Sequence, residues 1–208
     1  MTLDTLDASS ISKLNEKYRF SQPKLIIEFA LKLSNRPLVT TSFGPNSAAI
    51  LYSVTQVDKD IPVVWCDTGH NTLATQKHAA TLKHLLGLNL EIFKPKKHVP
   101  IPVKNSLNPN EFDLFAETVK LEPFSRAIKK YRPDVWFTTV RKKQGAFRDE
   151  LDIFSITNDG VLRVSPFYHY NNKQITEFLN NNNLPIEYDY FDPTKPDANT
   201  ECGVQFLV

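Results

Sequence analysis

The sequence predicts an α/β domain with a mostly parallel sheet and helices on both faces. Apolar segments of strand length alternate with segments of helical periodicity along most of the 208 residues. The segment 134–140 is apolar almost throughout, which is typical of a central parallel strand that is covered on both sides. A chain of this length suits one domain with a substantial core.

The first part of the chain predicts three strands separated by helices. Residues 1–20 are a polar lead-in with a short helix. Ser21 is a candidate N-cap for a helix that carries Pro23 in its first turn. The elements expected after it are a strand at 37–42, a helix from Ala48, a strand at 61–66, a helix at 72–86 closed by Gly87, and a strand at 89–93.

A loop rich in Pro and Lys leads from the third strand to about residue 110. One or two helices, interrupted near Pro123, are expected within 111–131, before the central strand at 134–140. Two short strands then flank Asn158-Asp159-Gly160, a strong signal for a hairpin. A polar helix at about 172–181 and an irregular tail complete the chain. The predicted organisation is a lead-in at 1–20, a nucleotide-binding domain at 21–190 and a C-terminal arm at 191–208.

The composition excludes several classes of function. A formal net charge of +2 gives no reason to expect binding to nucleic acid or to a membrane surface. No segment approaches the roughly 20 apolar residues that span a bilayer, and the N-terminal residues lack the pattern of a signal peptide. The two cysteines are far apart, which favours a reducing compartment over a disulfide framework. A cytoplasmic enzyme or binding protein is therefore expected.

Two local features carry candidate chemistry. Cys202 follows a polar segment that offers no core for a thiol to pack in, and solvent access is what a nucleophilic thiol requires. Alone, this is equally compatible with an incidental cysteine. Residues 42–47, Ser-Phe-Gly-Pro-Asn-Ser, join a strand to a helix and resemble an anion-binding loop without matching the P-loop. A thiol and an anion loop together suggest covalent chemistry on an anionic substrate.

Five segments, in order, carry a family resemblance. They read T-S-F-G at 41–44, D-T-G at 67–69, L-E-P-F-S-R-A at 121–127, R-K-K-Q-G-A-F-R at 141–148 and E-C-G at 201–203. The set resembles the phosphoadenylyl-sulfate (PAPS) reductase family over residues 38–205. The resemblance implies an adenine nucleotide alpha hydrolase-like fold with a modified PP-loop.

The resemblance also implies an activity, the reduction of PAPS to sulfite and adenosine 3′,5′-bisphosphate. Cys202 would attack the sulfate sulfur to form S-sulfocysteine, and thioredoxin or glutaredoxin would release sulfite. A homodimer is common in such a family. The implied substrate-binding residues are Ser42, Phe43, Gly44, Ser47, Asp67, Thr68, Gly69, Arg126, Arg141, Lys142, Gln144 and Arg148.

The sequence departs from the family pattern at three points. Gln205 stands where the family has histidine, the arm before Cys202 is shorter than usual, and His70 follows D-T-G where an aromatic residue is common. Two cysteines without a C-x-x-C motif cannot supply the four thiolates of an iron–sulfur cluster, so a cluster-free enzyme without a metal is expected. Adenylyl sulfate (APS) or another adenylate remains an alternative substrate, and a nucleotide-binding protein without reductase activity remains an alternative class.

Several candidate residues also have a simpler structural interpretation. Asp67 is placed equally well to bind nucleotide or to cap the helix from about residue 72. Arg126 is placed to reach a 3′-phosphate or to pair with a surface carboxylate. The basic segment 141–148 is alternatively a solvated turn, and Cys66 at the end of an apolar strand is interpreted as a buried, inert thiol.

Overall fold

The computed structural model describes residues 2–102, 110–142 and 144–195. Its centre is a six-stranded sheet in the order β3-β2-β1-β4-β6-β5. Four neighbouring pairs are parallel, and only β5 and β6 pair antiparallel, as the predicted hairpin requires. The strands are β1 (Pro37–Thr41), β2 (Val63–Cys66), β3 (Leu90–Phe93), β4 (Val135–Phe137), β5 (Phe154–Ile156) and β6 (Leu162–Val164).

The helices follow the predicted order, with one additional short helix, Ala146–Asp149, that the sequence did not predict. They are α1 (Ala8–Tyr18), α2 (Pro23–Leu33), α3 (Ser47–Thr55), α4 (Leu73–Leu86), α5 (Glu111–Ala116), α6 (Glu122–Tyr131), α7 (Ala146–Asp149) and α8 (Asn172–Asn181). Gly87 closes α4 in the left-handed region with φ 61°, as predicted. The N-cap of α2 is Gln22 rather than Ser21, which corrects the predicted start by one residue. Within the described ranges, no helix has the length and hydropathy needed to cross a membrane.

Helices cover both faces of the sheet, which confirms the predicted α/β class. Alternate strand residues point to opposite faces. Val39 and its neighbours on one face pack in a large core with side chains of α1–α4 and α8. On the other face, α6 places Phe124 against Trp136 and Ala127 against Leu38. Full burial of each large apolar side chain contributes roughly 1.5–3 kcal/mol.

The expected interruption near Pro123 takes an unexpected form. Helices α5 and α6 are joined without a break by a π-helical turn at Glu117–Leu121. Proline lacks an N–H and its ring crowds the carbonyl four residues earlier, so a wider turn just before Pro123 accommodates it. Within this turn, the consecutive residues Val119 and Lys120 are both buried. The π turn therefore directs a lysine toward the interior.

Residues 1–20 contain a longer helix than the short one expected of the lead-in. Helix α1 packs beside the edge strand β5, and Asn15 on this helix is buried. Its side-chain amide pairs with the backbone of Phe154, because Nδ2 donates to the carbonyl at 2.9 Å and Oδ1 accepts from the N–H at 2.8 Å. The amide thus replaces the neighbouring strand that an edge residue lacks. The boundaries predicted for the lead-in and the arm stay a prediction.

We expect Asn15→Ala to lower the free energy of unfolding by about 2–3 kcal/mol, because two buried backbone groups lose their partner. Urea denaturation followed by circular dichroism measures this. Asn180→Ala, at an exposed position on α8, is the matched control and should change stability by less than about 0.5 kcal/mol. Equal stabilities of the two variants would show that α1 does not hold the edge strand.

Candidate active site

A cavity of about 270 Å³ opens at the carboxyl ends of β1, β2 and β4. Strands β1 and β4 are adjacent and parallel, but β1 continues along the chain to β2 on its other side. Ligands of open α/β sheets bind at such a switch point of strand order. The cavity lies over the sheet face that α6 covers, where Thr40, Val64, Cys66 and Trp136 form part of its lining.

The predicted anion loop forms one wall of the cavity. Ser42, Gly44 and Ser47 line it. Phe43 does not, because its side chain is fully buried and packs edge-on against Trp65 with ring centroids 5.0 Å apart. Its backbone adopts the left-handed region with φ 52°, and its N–H donates to Thr41 Oγ1 at 3.0 Å. The Phe43 side chain therefore anchors the loop in the core, and its predicted role in binding can only involve its backbone.

The first turn of α3 is available to an anion. Its N-cap residue, Asn46, makes no side-chain bond to the helix within the described chain, although the Ser47 N–H donates to the Gly44 carbonyl at 3.0 Å and the Ala49 N–H to the Asn46 carbonyl at 3.2 Å. Asn46 and Ser47 line the cavity, so the positive end of the helix dipole lies at its wall. Ser47 is 4% exposed, and its Oγ has no hydrogen-bond partner among the described residues. A buried hydroxyl without a partner is costly, and a ligand oxygen in the cavity would satisfy it.

The opposite wall of the cavity is cationic. Arg141 is buried, and its guanidinium donates to the Tyr170 carbonyl at 3.2 Å and to Asn172 Oδ1 at 3.1 Å. Gln144 Oε1 accepts from the Arg141 N–H at 2.9 Å and from Arg148 Nη1 at 3.0 Å. Burial, and then the charge of Arg148, lower the pKa of Arg141. Two arginines and the glutamine that connects them thus line one wall.

The remaining residues of the basic segment lie elsewhere. Lys142 is exposed and outside the cavity lining, and its backbone N–H donates to the Tyr168 carbonyl at 2.9 Å. Lys143 lies outside the described residues. The segment is therefore divided between side chains that line the cavity and at least one that faces solvent.

The D-T-G turn lies beside the cavity without lining it. Asp67 Oδ1 accepts from the Gly69 N–H at 3.0 Å and from Asn71 Nδ2 at 2.7 Å, and Oδ2 lies 3.5 Å from Lys94 Nζ. The alternative that Asp67 caps α4 is wrong, because Thr72 Oγ1 accepts from the Thr75 N–H instead. Contacts of Asp67, Thr68 and Gly69 with a nucleotide stay predictions.

Arg126 is paired with a carboxylate, as its simpler interpretation proposed. Its guanidinium donates to Glu122 at 2.8 and 3.1 Å and also to the Lys94 carbonyl. Lys96 approaches the same Glu122 carboxylate at 3.4 Å. Arg126 does not line the cavity. A contact with a 3′-phosphate, which would need the side chain to turn, stays a prediction.

The structure adds lining residues that the sequence did not indicate, among them Lys120, Tyr190, Asp192 and Lys195. No local motif marks them, since Lys120 and Asp192 are 72 positions apart. Two further residues, Thr138 and Thr139, could have been noticed as hydroxyls directly after the apolar strand β4. The cavity is thus bounded by the C-terminal part of the domain as well as by the predicted loops.

Of the two cysteines, Cys66 lies within the described residues. Cys66 lines the cavity as a free thiol of intermediate exposure. Burial raises the pKa of this thiol to about 12, and nearby cations offset only part of that effect. Cys66 is therefore a protonated thiol and a weak nucleophile at neutral pH, which agrees with its predicted inertness. Cys202 lies outside the described residues.

The fold and the cavity together define an α/β protein with a cavity at its switch point, lined by the predicted anion loop and by arginines. Residues 36–191 match the model of the phosphoadenosine phosphosulfate reductase domain. The chain therefore belongs to this family, as the motifs predicted, and is an oxidoreductase that acts on a sulfur group.

The chain is similar in sequence to two bacterial reductases and in structure to one fungal reductase. A phosphoadenosine 5′-phosphosulfate reductase of Synechococcus sp. is 29% identical over 85% of this chain and 78% of its own length. An adenosine 5′-phosphosulfate reductase of Chelativorans sp. is 28% identical over 92% of this chain and 89% of its own. The crystal structure of PAPS reductase from Candida auris, a phosphate complex, superposes with a TM-score of 0.75 at 23% identity, covering 88% of this chain and 90% of that one. This likeness confirms the predicted PP-loop fold.

We expect Ser47→Ala to affect ligand binding and stability differently. A hydrogen bond to a charged group contributes roughly 1.5–3 kcal/mol, so affinity for adenosine 3′,5′-bisphosphate should fall about 10- to 150-fold. The free energy of unfolding without ligand should not fall, because the hydroxyl makes no bond to the described chain. Calorimetric titration and urea denaturation measure the two quantities. Ser53→Ala, buried in α3 but outside the cavity lining, should leave affinity unchanged.

Arg148→Ala and Lys142→Ala separate the two parts of the basic segment. Each variant removes one positive charge, but only Arg148 lines the cavity. We expect Arg148→Ala to weaken binding of adenosine 3′,5′-bisphosphate about 10- to 150-fold, and Lys142→Ala to weaken it less than about fivefold. Comparable losses in both variants would mean that the segment acts only through its net charge.

Proposed function

We propose that this chain reduces PAPS to sulfite and adenosine 3′,5′-bisphosphate, with Cys202 as the nucleophile. The observation that carries the proposal is the cavity at the switch point, where the buried Ser47 hydroxyl and the α3 N-terminus face Arg141 and Arg148. An anion between these walls would receive hydrogen bonds from one side and positive charge from the other.

The lining of the cavity is suited to an anion attached to a nucleoside. The sulfate–phosphate end would lie at Ser42, Gly44 and Ser47. Val64 and the aromatic rings of Phe124 and Trp136 form an apolar part of the lining, which would contact the nucleoside. Sites of this kind combine apolar walls with a few well-placed polar groups.

The proposed chemistry has two steps. The Cys202 thiolate attacks the sulfate sulfur, an S–S bond forms, and the S–O bond to the phosphate breaks. The electron pair leaves with adenosine 3′,5′-bisphosphate, whose added charge Arg141 and Arg148 would stabilise. A thiolate of a dithiol reductant, thioredoxin or glutaredoxin, then attacks the Cys202 sulfur and expels sulfite. The second thiol of the reductant restores Cys202 and becomes part of a disulfide, so the dithiol supplies both electrons.

The pKa of Cys66 argues against the alternative nucleophile. A thiol with a pKa of about 12 is ionised to roughly one part in 100,000 at pH 7, whereas an ordinary cysteine is a few per cent thiolate. An ordinary cysteine would thus provide far more thiolate than Cys66, and we therefore propose Cys202 as the nucleophile. With only two cysteines in the sequence, we propose that the reaction proceeds without an iron–sulfur cluster.

A second candidate substrate is APS, because the Chelativorans relative that spans most of this chain is named for adenosine 5′-phosphosulfate. Sulfite release from equal concentrations of PAPS and APS, with a thioredoxin system as reductant, separates the two. A higher kcat/KM for PAPS supports the first proposal, and a higher value for APS supports the second. No sulfite from either compound would leave a nucleotide-binding protein without reductase activity.

We expect Cys202→Ser to abolish sulfite formation while nucleotide affinity stays within about twofold, since a thiol reached from the arm adds little to binding. Intact-mass measurement after incubation with PAPS should show one sulfonate adduct on the wild type and none on this variant. Cys66→Ser is the matched control and should retain both adduct and activity. A sulfonate adduct located on Cys66, or activity that survives in Cys202→Ser, would contradict the assignment.

A further inference from the structure

The chain returns to the cavity after α8. In this C-terminal segment, residues 189–195, the side chains of Tyr190, Asp192 and Lys195 line the cavity. Thr72 Oγ1 donates to the Asp189 carbonyl at 3.1 Å, and the Tyr190 ring faces Gly44 of the anion loop. The segment is therefore packed against the substrate-binding loops and leads directly into the residues that carry Cys202.

A buried ion pair fixes this segment to the rest of the domain. Lys120 Nζ lies 2.5 Å from Asp192 Oδ2, and the two side chains are only 11% and 9% exposed. Lys120 Nζ also donates to Thr194 Oγ1 at 3.3 Å. Asp192 Oδ1 in turn accepts from the Thr194 N–H at 3.1 Å and from its hydroxyl at 2.6 Å. Both oxygens of the carboxylate are thus engaged.

The Asp192 carboxylate is ionised at neutral pH. Burial by itself would raise the pKa of Asp192, but the charge and hydrogen bond of Lys120, with the bonds from Thr194, outweigh it and lower the pKa. A lowered carboxylate pKa means that the contact is kept above the ordinary range for aspartate and lost only as the pH falls below it. Titration therefore does not release the segment near neutral pH.

Stability alone is a weak reason for such a pair. Desolvation of two charges costs several kcal/mol, and well-packed apolar residues often stabilise a protein equally well. The pair does determine where Asp192 lies. The π turn places Lys120 on the cavity wall, and the ion pair holds Asp192 against it. Asp192 belongs to the first residues of the predicted arm, 191–208, so the ion pair fixes the start of that arm.

The number of residues between the ion pair and Cys202 indicates how much the pair could raise the effective concentration of the thiol at the cavity. Cys202 lies seven positions after Lys195, a span of at most about 25 Å. If the segment detached as far as Asp189, the tether would span 13 positions. Effective concentration falls roughly as the −3/2 power of tether length, so the longer tether alone would lower it only about 2.5-fold. A larger effect on the rate would have to come from the orientation of the arm relative to the substrate, because misplacing a nucleophile can lower its reaction rate far more than this.

We propose that the Lys120–Asp192 ion pair positions the arm so that Cys202 reaches the sulfate end of the cavity. The inference rests on the proposed function and assigns both residues as positioning residues, which act through the arm. It differs from a role in holding the nucleotide, because neutralising the carboxylate should slow the reaction without weakening nucleotide binding.

Asp192→Asn tests the proposal with little change in shape. The rate of S-sulfocysteine formation in a single turnover with saturating PAPS, followed by intact mass, should fall about tenfold or more. Affinity for adenosine 3′,5′-bisphosphate should stay equal or increase, because the cavity loses a negative charge. Alkylation of Cys202 by iodoacetamide should be unchanged, since the intrinsic reactivity of the thiol is not altered. A rate that stays equal, or rises with the affinity, would overturn the proposal.

Three further variants serve as controls for this experiment. Asp189→Asn removes an exposed carboxylate from the same segment and leaves its carbonyl contact intact, so its rate should match the wild type. The double variant Lys120→Asp/Asp192→Lys exchanges the two charges and keeps an ion pair, so it should recover part of the rate lost in Asp192→Asn. If it recovers none, the proposed role of the ion pair is contradicted. If Asp192→Asn loses thermal stability, the rate of Thr194→Val decides, with a smaller loss expected. A wild type that forms no adduct at all would instead refute the proposed function, and this inference with it.

Discussion

The site depends on one constraint, the parallel pairing of β1 with β4 at the point where strand order reverses. Because both strands end at the same edge, the anion loop after β1 and the arginines after β4 face each other across one cavity. Two side-chain bonds hold this edge together. Trp136 Nε1 donates to Thr40 Oγ1 at 2.9 Å across the β1–β4 pair, and the hydroxyls of Thr138 and Ser165 lie 2.9 Å apart beside β6. The floor of the cavity is therefore fixed before any ligand arrives.

The charge around the cavity differs from the charge along the basic loop after β3. In the segment after β3, Lys94 pairs with Asp67, and Lys96 shares Glu122 with Arg126, so this basic cluster is largely neutralised by its own neighbours. Among the described residues that line the cavity, four side chains are cationic and one, Asp192, is a carboxylate. An anion is thus favoured inside the cavity rather than along the more basic-looking loop. Counting lysines in the sequence could not separate these two situations, because the separation depends on which carboxylates fold against them.

The sequence predicted those parts of the fold that local chemistry determines. Apolar strands, the left-handed cap at Gly87 and the turn at 158–160 depend on residues that are neighbours in the chain. The features that it could not predict join distant residues. Asn15 completes the edge strand β5 across 139 positions, and the pair of Lys120 with Asp192 crosses 72. In the same way, the loop motif predicted residues that line the cavity, whereas the burial of the Phe43 side chain depends on its packing against Trp65, which is distant in sequence.

The two cysteines show why the nucleophile would belong on an arm and not on the sheet. Cys66 is fixed beside Lys120 and close enough to Arg126 to be influenced by both cations, yet burial outweighs them and keeps the thiol protonated. A thiol built into the wall would therefore lose ionisation as the cavity closed around it. A nucleophilic cysteine must react as its thiolate, so the proposed reaction uses Cys202 on the arm rather than Cys66. A nucleophile on an arm needs that arm to start from a defined place, and the buried pair of Lys120 with Asp192 fixes the last described part of the chain at the cavity wall.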